Sequence, residues 1–552
     1  MTFKKFKKIS LLTRGMLLLL ALGTAVTGCT APSVDSMPTD TRAEQTTVQP
    51  QDEQTTAETA GSPDEPVGTV YYVDANNGND ENDGLTPETA IQTLKKAGSI
   101  TLKGGDSLLL KAGCTFVGNL YPRRERDGGM VRISSYGEGE KPLIDSRWED
   151  ALTLKNFDCV EVSNIALTNP DGQAGIYIAN REGGAMKHIY IRNCTIEHVN
   201  QARTTFRYES GGIICEAFSE EPGWFEDLVI EGNEIRDVAR SGIFLTSFWV
   251  DRPDYAWGKN QYVSDTEGWW PSYGVVVRGN YIDETGGDGI VLIGTQDALI
   301  EHNTVYRINT NPVAPCANAG IWPQKSNGCV IQYNEVAYAN KPEGVNDAQA
   351  FDVDGACKDT LIQYNYSHDN AGGFLLICDE HYGGVTVRNN VSVNDGTGEL
   401  IAMVGPVKDI VIENNTFITR NYVFRLVNCW SSDGLSYAHD VKIRRNIFIA
   451  NGDGNDFNLE TGYNFEFEGN LYWGTHKTPP ASEIDPIVAN PKIRIAAVAP
   501  KGWENVRQFA APEGSPAYST ATEALDPADK DYFGNPTEGK NYVGAFVIEP
   551  TS

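Results

Sequence analysis

The chain of 552 residues carries 45 Lys and Arg against 74 Asp and Glu, a formal net charge of −29, with 55 Gly and a 10% aromatic share. So acidic a chain repels phosphate backbones and anionic lipid, which excludes nucleic-acid binding as a first reading. Abundant glycine, 6 Met and few runs of Leu, Ala, Glu and Lys argue against a helical bundle and for a β-rich protein with many turns.

Lys4, Lys5, Lys7, Lys8 and Arg14 precede the apolar run Met16–Leu22 and a stretch of small residues leading to Cys29. That order describes a secretory signal over residues 1–28, and the apolar run is too short to span a bilayer. Val26-Thr27-Gly28-Cys29 resembles the bacterial lipobox. The resemblance implies lipid attachment to Cys29, and so a lipoprotein on the extracellular face of a bacterial membrane, which it meets through the lipid anchor only. Residues 29–65 are rich in Thr, Gln, Glu, Pro, Ala and Asp and nearly devoid of large aliphatics, and are expected to form a disordered tether. The other cysteines, from Cys114 to Cys429, show neither C-x-x-C pairs nor zinc-finger spacing with His, so no metal centre is expected. Most read as small core residues, Cys215 and Cys378 among them. An oxidising exterior leaves room for one or two disulfides, whose pairing stays open.

Residues 66–150 read as an N-terminal cap with the first turns of a coil. Asp74 to Asp83 reads as a turn; a calcium loop would need a bidentate Glu at its twelfth position, which is missing. Ala90, Ile91, Leu94, Ala97 and Ile100 fall on one face of a short helix suited to plugging an open coil end. A phrase of hydrophobic, two variable residues, Asn, one variable residue and usually a hydrophobic then recurs at Asn233, Asn280, Asn303, Asn334, Asn365, Asn390, Asn415, Asn446 and Asn470. The steps are 47, 23, 31, 31, 25, 25, 31 and 24 residues, the signature of a solenoid with its extra residues in loops. Second strands such as Gly242-Ile-Phe-Leu, Gly289-Ile-Val-Leu and Gly373-Phe-Leu-Leu lie between the phrases. An Asn at the same bend of each turn predicts a hydrogen-bonded ladder at the strand spacing of ~4.8 Å.

These repeats, with Tyr71–Gly84, Pro87–Ala97 and Gly105–Gly113 at the front and Gly514–Ala517, Asp531–Asn535 and Val543–Phe546 at the back, resemble bacterial secreted right-handed parallel β-helix proteins of the pectate-lyase-like superfamily. The resemblance covers roughly residues 68 to 550 and implies an all-β, right-handed parallel β-helix with a short N-terminal capping helix and long loop insertions. Residues 151–474 would form its core with the active-site face, and 475–552 a C-terminal cap.

Strand faces alternate, so residues two apart share a face and equivalent residues of successive turns stack. With Ile243, Ile290, Ile321, Phe351 and Phe374 taken as inward, the outward set includes Thr246, Val291, Trp322, Gln324, Asp352, Asp354, Leu375, Ile377 and, past the strand end, Asp379. Glu216 is outward on an earlier turn. Asp352, Asp354 and Asp379 are therefore the expected catalytic acids, with Glu380 beside them as a further acid and Asp288 in reserve as a turn residue. Trp322, Gln324, Lys325 and Glu216 are the expected substrate-binding neighbours. Trp249 and Trp257 lie in an insertion over 247–273 rich in aromatic residues, which suits the wall of a carbohydrate cleft.

Paired carboxyls suit glycoside hydrolysis, because one protonates the leaving oxygen while the other attacks or activates water. The leading expectation is an extracellular glycoside hydrolase acting on an oligosaccharide or polysaccharide, with no cofactor, similar to known β-helix glycoside hydrolases. A polysaccharide lyase with Ca2+ held by Asp352 and Asp354 and with Lys325 or Lys358 as base is the first alternative. A non-catalytic glycan-binding surface protein is the second.

Overall fold

Short strands that are apolar on one face cannot stand alone, and repetition at a fixed period lets each bury that face against its own neighbours. A computed structural model shows the outcome for residues 68–547, apart from 201–209, 253–267, 311, 314–315, 380–382, 421–424, 432–436, 452–455, 476–477, 496–497, 520–522 and 525–527. The expected signal, the expected tether and Cys29 lie outside the described residues, as do Trp257 and Glu380.

The strands line up in three long parallel sheets of 15, 14 and 11 strands. One coil runs from Gly211–Ala217 in the 11-stranded sheet, through Gly223–Glu231 in the 15-stranded sheet, to Glu234–Val238 in the 14-stranded sheet. The next coil begins at Ser241–Ser247, paired in register with Gly211–Ala217. This is a parallel β-helix, and its lumen is one apolar column. Within that column Phe351, Phe374, Phe417 and Phe448 follow one another with ring centroids 5.2–5.7 Å apart.

The Asn positions turn the corner between the 15- and 14-stranded sheets. The amide of Asn365 donates to Asn390 Oδ1 at 3.0 Å and to the carbonyl of Ile331 at 2.8 Å, while its own Oδ1 accepts the backbone N–H and the amide of Asn334. The same pattern links Asn233 through Asn280, Asn303 and Asn334 and continues through Asn415 and Asn446 to Asn470, which ends on Glu483. The residue before each of these Asn has positive φ, from Gly232 at 65° to Gly469 at 64°. That conformation tightens the corner enough to carry the amide inside.

The N-terminal helix is one turn, Leu94–Ala97, shorter than the apolar spacing suggests. Asp80 accepts the N–H groups of Gln92 and Thr93, and Ile91 bridges to Val73, so Ala90 and Ile91 are held extended while still buried. The C-terminal segment runs back along the 14-stranded sheet rather than only over the coil's end. Tyr366 donates to the carbonyl of Pro500, and the N–H of Gly502 donates to Glu335 at 3.0 Å. His368 is a fully buried strand residue between Glu335 and Asp369. No disulfide joins the nine described cysteines.

Replacing Asn365 by Ala deletes four buried hydrogen bonds and strands the Asn334 and Asn390 groups. A loss of about 1–3 kcal/mol is expected, read as a lower Tm in thermal unfolding, whereas Glu466→Ala on the exposed strand Gly462–Glu468, whose ion pair with Lys442 is solvent-exposed, leaves Tm near wild type.

Candidate functional site

Register decides which side chains meet. On the outer face of the 11-stranded sheet, Phe244, Val291 and Trp322 stack in successive coils, and the pairing of Ile321 with Phe351 puts Asp352 next in that column. The parallel column brings Gln324 beside Asp354. Up to this coil the alternation read from the sequence holds.

One coil later it slips by one residue. Phe351 pairs with Leu375 rather than Phe374, so Leu375 and Ile377 point inward and are fully buried, while Leu376 and Cys378 take the outward places. Phe374 is also inward, because the strand enters its corner with two consecutive core residues. Cys378 is therefore a wall residue rather than a core one, with its Sγ 3.4 Å from Asp354 Oδ1 and 3.9 Å from Asp352 Oδ1. Asp379 still reaches the site because its backbone turns into the left-handed region at φ 64°, with its N–H on the carbonyl of Val404.

The three acids do converge. Asp354 accepts from the N–H of Gly355 at 2.7 Å and from the Gln324 amide at 2.8 Å, and it shares a hydrogen bond with Asp379. At an effective dielectric of about 20, two carboxylates about 4 Å apart repel by about 4 kcal/mol, more than a single hydrogen bond contributes. A shared proton is thus the cheaper arrangement. Burial and the Asp354 charge push Asp379 up to about 8. Burial, then the charges of Asp354 and Asp347, holds Asp352 well above the carboxylate range, and at 5% exposure it forms the back of the site. Asp354 is itself raised by burial, but the donors from Gly355, Cys378, Asp379 and Gln324 oppose the shift.

A fourth acid, Asp347, belongs to the group. Half-buried in the loop before strand Gln349–Val353, it is raised to about 7 by burial and then by the charge of Asp354, with Lys341 pulling the other way. The next residue, Ala348, sits at φ 79°, a strained conformation of the kind that gathers at functional sites. No strand parity applies to a loop residue, so only its lack of a structural partner in the sequence pattern could have drawn notice.

Beside Asp347 opens a groove of about 610 Å³ lined by Lys341, Gly372, Glu399, Arg425, Asn428, Trp430 and Asn458. By register, Asp352 leads through Leu376 and Ala402 to Asn428, three coils or about 14 Å further along the sheet. Trp430 is 43% exposed, and Asn458, Asn428 and Glu399 form a hydrogen-bonded row.

Several expected neighbours play other parts. Trp322 is covered, in an outer apolar cluster with Phe244, Val291 and Ile293, and its indole N–H donates to Asp288 at 2.9 Å. Asp288 itself is fully buried against Arg240. Glu216 lies four coils before Asp354, buried against Tyr177 and Arg181. Trp249 is half-buried with its N–H on the carbonyl of Ser219. Lys325 is buried in an ion pair with Asp251 at 2.8 Å, and Lys358 is exposed on the neighbouring sheet beside Asp359. Ligand atoms of Asp354, Cys378 and Asp379 lie within 4.8 Å of one another. A thiol and two carboxyls already sharing a proton do not fit calcium, which takes six to eight oxygens.

Residues 143–311 and 270–417 match the family model for the right handed beta helix region. A lacto-N-biosidase of Bifidobacterium longum subsp. longum is 27% identical over 417 residues, covering 60% of this chain and 26% of that protein. The chain thus spans about a quarter of the length of that curated relative. The crystal structure of a GH136 lacto-N-biosidase from Eubacterium ramulus superposes with a TM-score of 0.54 at 20% identity, over 76% of this chain and 68% of that one. These likenesses give the coil its right hand.

Asp379 ionises in the ordinary carboxylate range when unfolded and only near 8 when folded, so it withdraws stability as pH rises between those values. Asp379→Asn should raise Tm at pH 8 by about 2–4 °C, with the gain shrinking to nothing near pH 4. Paired thermal melts at the two pH values check it.

Proposed function

We propose that this protein is a glycoside hydrolase that cleaves an oligosaccharide, with Asp347 as the acid that protonates the leaving oxygen and Asp354 as the charged carboxylate facing it. The carrying observation is that two interacting carboxyls have unlike surroundings: burial and the charge of Asp354 raise Asp347, while hydrogen-bond donors oppose the rise that burial causes at Asp354. Asp347 keeps its proton up to about 7, while Asp354 collects the hydrogen bonds that favour its ionised form. Asp352 and Asp379, expected as catalytic from strand parity, serve here as protonated neighbours that tune Asp354.

The names of the relatives support the same reading, and lacto-N-biosidase activity is the specific substrate it selects. The lyase alternative loses its parts, because Lys325 is locked to Asp251, Lys358 stands on another sheet and the acid cluster suits a shared proton better than calcium. The reaction proposed here needs no cofactor. It takes place at the extracellular face of a bacterial membrane, to which the chain is tethered through Cys29.

Asp354→Asn should remove turnover on every substrate, while still binding sugar. Asp347→Asn should lose about 10²–10⁴ in kcat on a natural oligosaccharide and far less on an aryl glycoside, whose leaving group needs no proton. Wild-type kcat/KM should fall as pH rises through about 7, and that basic limb should vanish in the Asp347→Asn variant. Steady-state kinetics with p-nitrophenyl lacto-N-bioside beside the free oligosaccharide measure all three; sugar binding with no turnover by the wild type would favour a non-catalytic glycan binder. For the anchor, Cys29→Ala should abolish incorporation of labelled fatty acid and release the protein from the membrane fraction.

A further inference from the structure

Lys325 was expected to touch substrate, yet every polar group it owns is committed to the architecture. Its side chain is 4% exposed, with Nζ on Asp251 Oδ1 at 2.8 Å. Its carbonyl accepts the indole N–H of Trp269 at 2.8 Å, and its own N–H donates to the carbonyl of Gly355 at 2.9 Å. Asp251 and Trp269 belong to the antiparallel hairpin of the insertion, Val250–Asp251 with Gly268–Trp269. Gly355 is the residue whose N–H holds Asp354 Oδ1. One lysine therefore joins the insertion to the turn that carries the charged carboxylate.

The hairpin also covers the outer sheet ahead of the acids. Val250 and Trp269 pack with Phe244, Val291 and Trp322, the residues that precede Asp352 in its column, so the hairpin covers the outer sheet up to the coil before Asp352. Arg252 stacks over Trp269 at 4.2 Å and bonds Asn327, which ties the hairpin down two residues past Lys325.

We propose that this hairpin is a fixed wall ending the cleft beside Asp354, and that Lys325 is a positioning residue locking the wall and the Asp354 turn into one rigid unit. The inference rests on Asp354 being the charged catalytic carboxylate. A sugar that abuts the wall then meets a carboxylate whose distance from that wall is set by three hydrogen bonds to one residue. Misplacement by about 1 Å costs on the order of 10²-fold in rate, so such a lock matters. Removing one member of a buried ion pair leaves the other uncompensated, which forces the unit to rearrange.

The test uses the full chain with Lys325→Met, Asp251→Asn and the double variant, beside Lys358→Met as a control on the next coil. Lys325→Met and Asp251→Asn should each lower kcat by roughly 10–100-fold and move the acidic limb of the pH profile, with the double variant no worse than the poorer single. Lys358→Met should match wild type. A second readout is independent of turnover: the rate of Cys378 alkylation by iodoacetamide, followed by peptide mass spectrometry, should rise roughly tenfold or more in Lys325→Met as the Asp354 turn loosens. Wild-type kcat and wild-type alkylation in a Lys325→Met protein of native Tm would overturn the lock, as would multiplicative losses in the double variant. If the wild type hydrolyses no glycoside, the functional reading fails, and the alkylation rates still decide whether Lys325 holds the turn.

Discussion

The corner ladder of asparagines is the constraint on which the rest depends. Each amide satisfies backbone groups of the coil below and the Asn of the coil above, so a coil that shifted by one residue would bury several unpaired polar groups at once. That cost fixes the register of every sheet, including the one that carries the acids. A catalytic group in this architecture is placed by a hydrogen-bonded column some distance away from it, on another edge of the coil.

Fixed register is also what allows an unfavourable cluster to persist. Asp347, Asp352, Asp354 and Asp379 face one another with few cations near, and the backbone does not yield to their repulsion because it is held by three parallel ladders. The repulsion is relieved by protons instead. What the fold sacrifices in stability appears as raised proton affinities, and under the proposed function one of these carboxyls is the acid. Burial provides most of the shift for each carboxyl, with the charge of Asp354 second for Asp347, Asp352 and Asp379.

Much of this was legible before any coordinates. The Asn spacing announces the coil, and alternation correctly turns Trp322, Gln324, Asp352 and Asp354 outward. Alternation fails at Phe374, where the strand enters its corner with two core residues in succession, and the count for Leu375, Ile377 and Cys378 inverts. Asp379 survives that error only through its left-handed backbone. Asp347 escaped because it lies in a loop, where periodicity carries no information. Trp322 reads as facing substrate because parity says that a residue is outside the coil, and it does not say whether another segment covers it. The insertion hairpin does so here.

The central claim of the proposed function is that one cluster of buried aspartates holds an acid and a charged carboxylate with different proton affinities. The most direct test is a carbon-13 NMR titration of carboxyl-labelled aspartate in the full chain, assigned with single Asp→Asn variants. Asp347 titrating near 7 and Asp379 near 8, with Asp354 ionising at lower pH than both, is the result this account predicts. Midpoints for all three together in the ordinary carboxylate range, near 4, would contradict it.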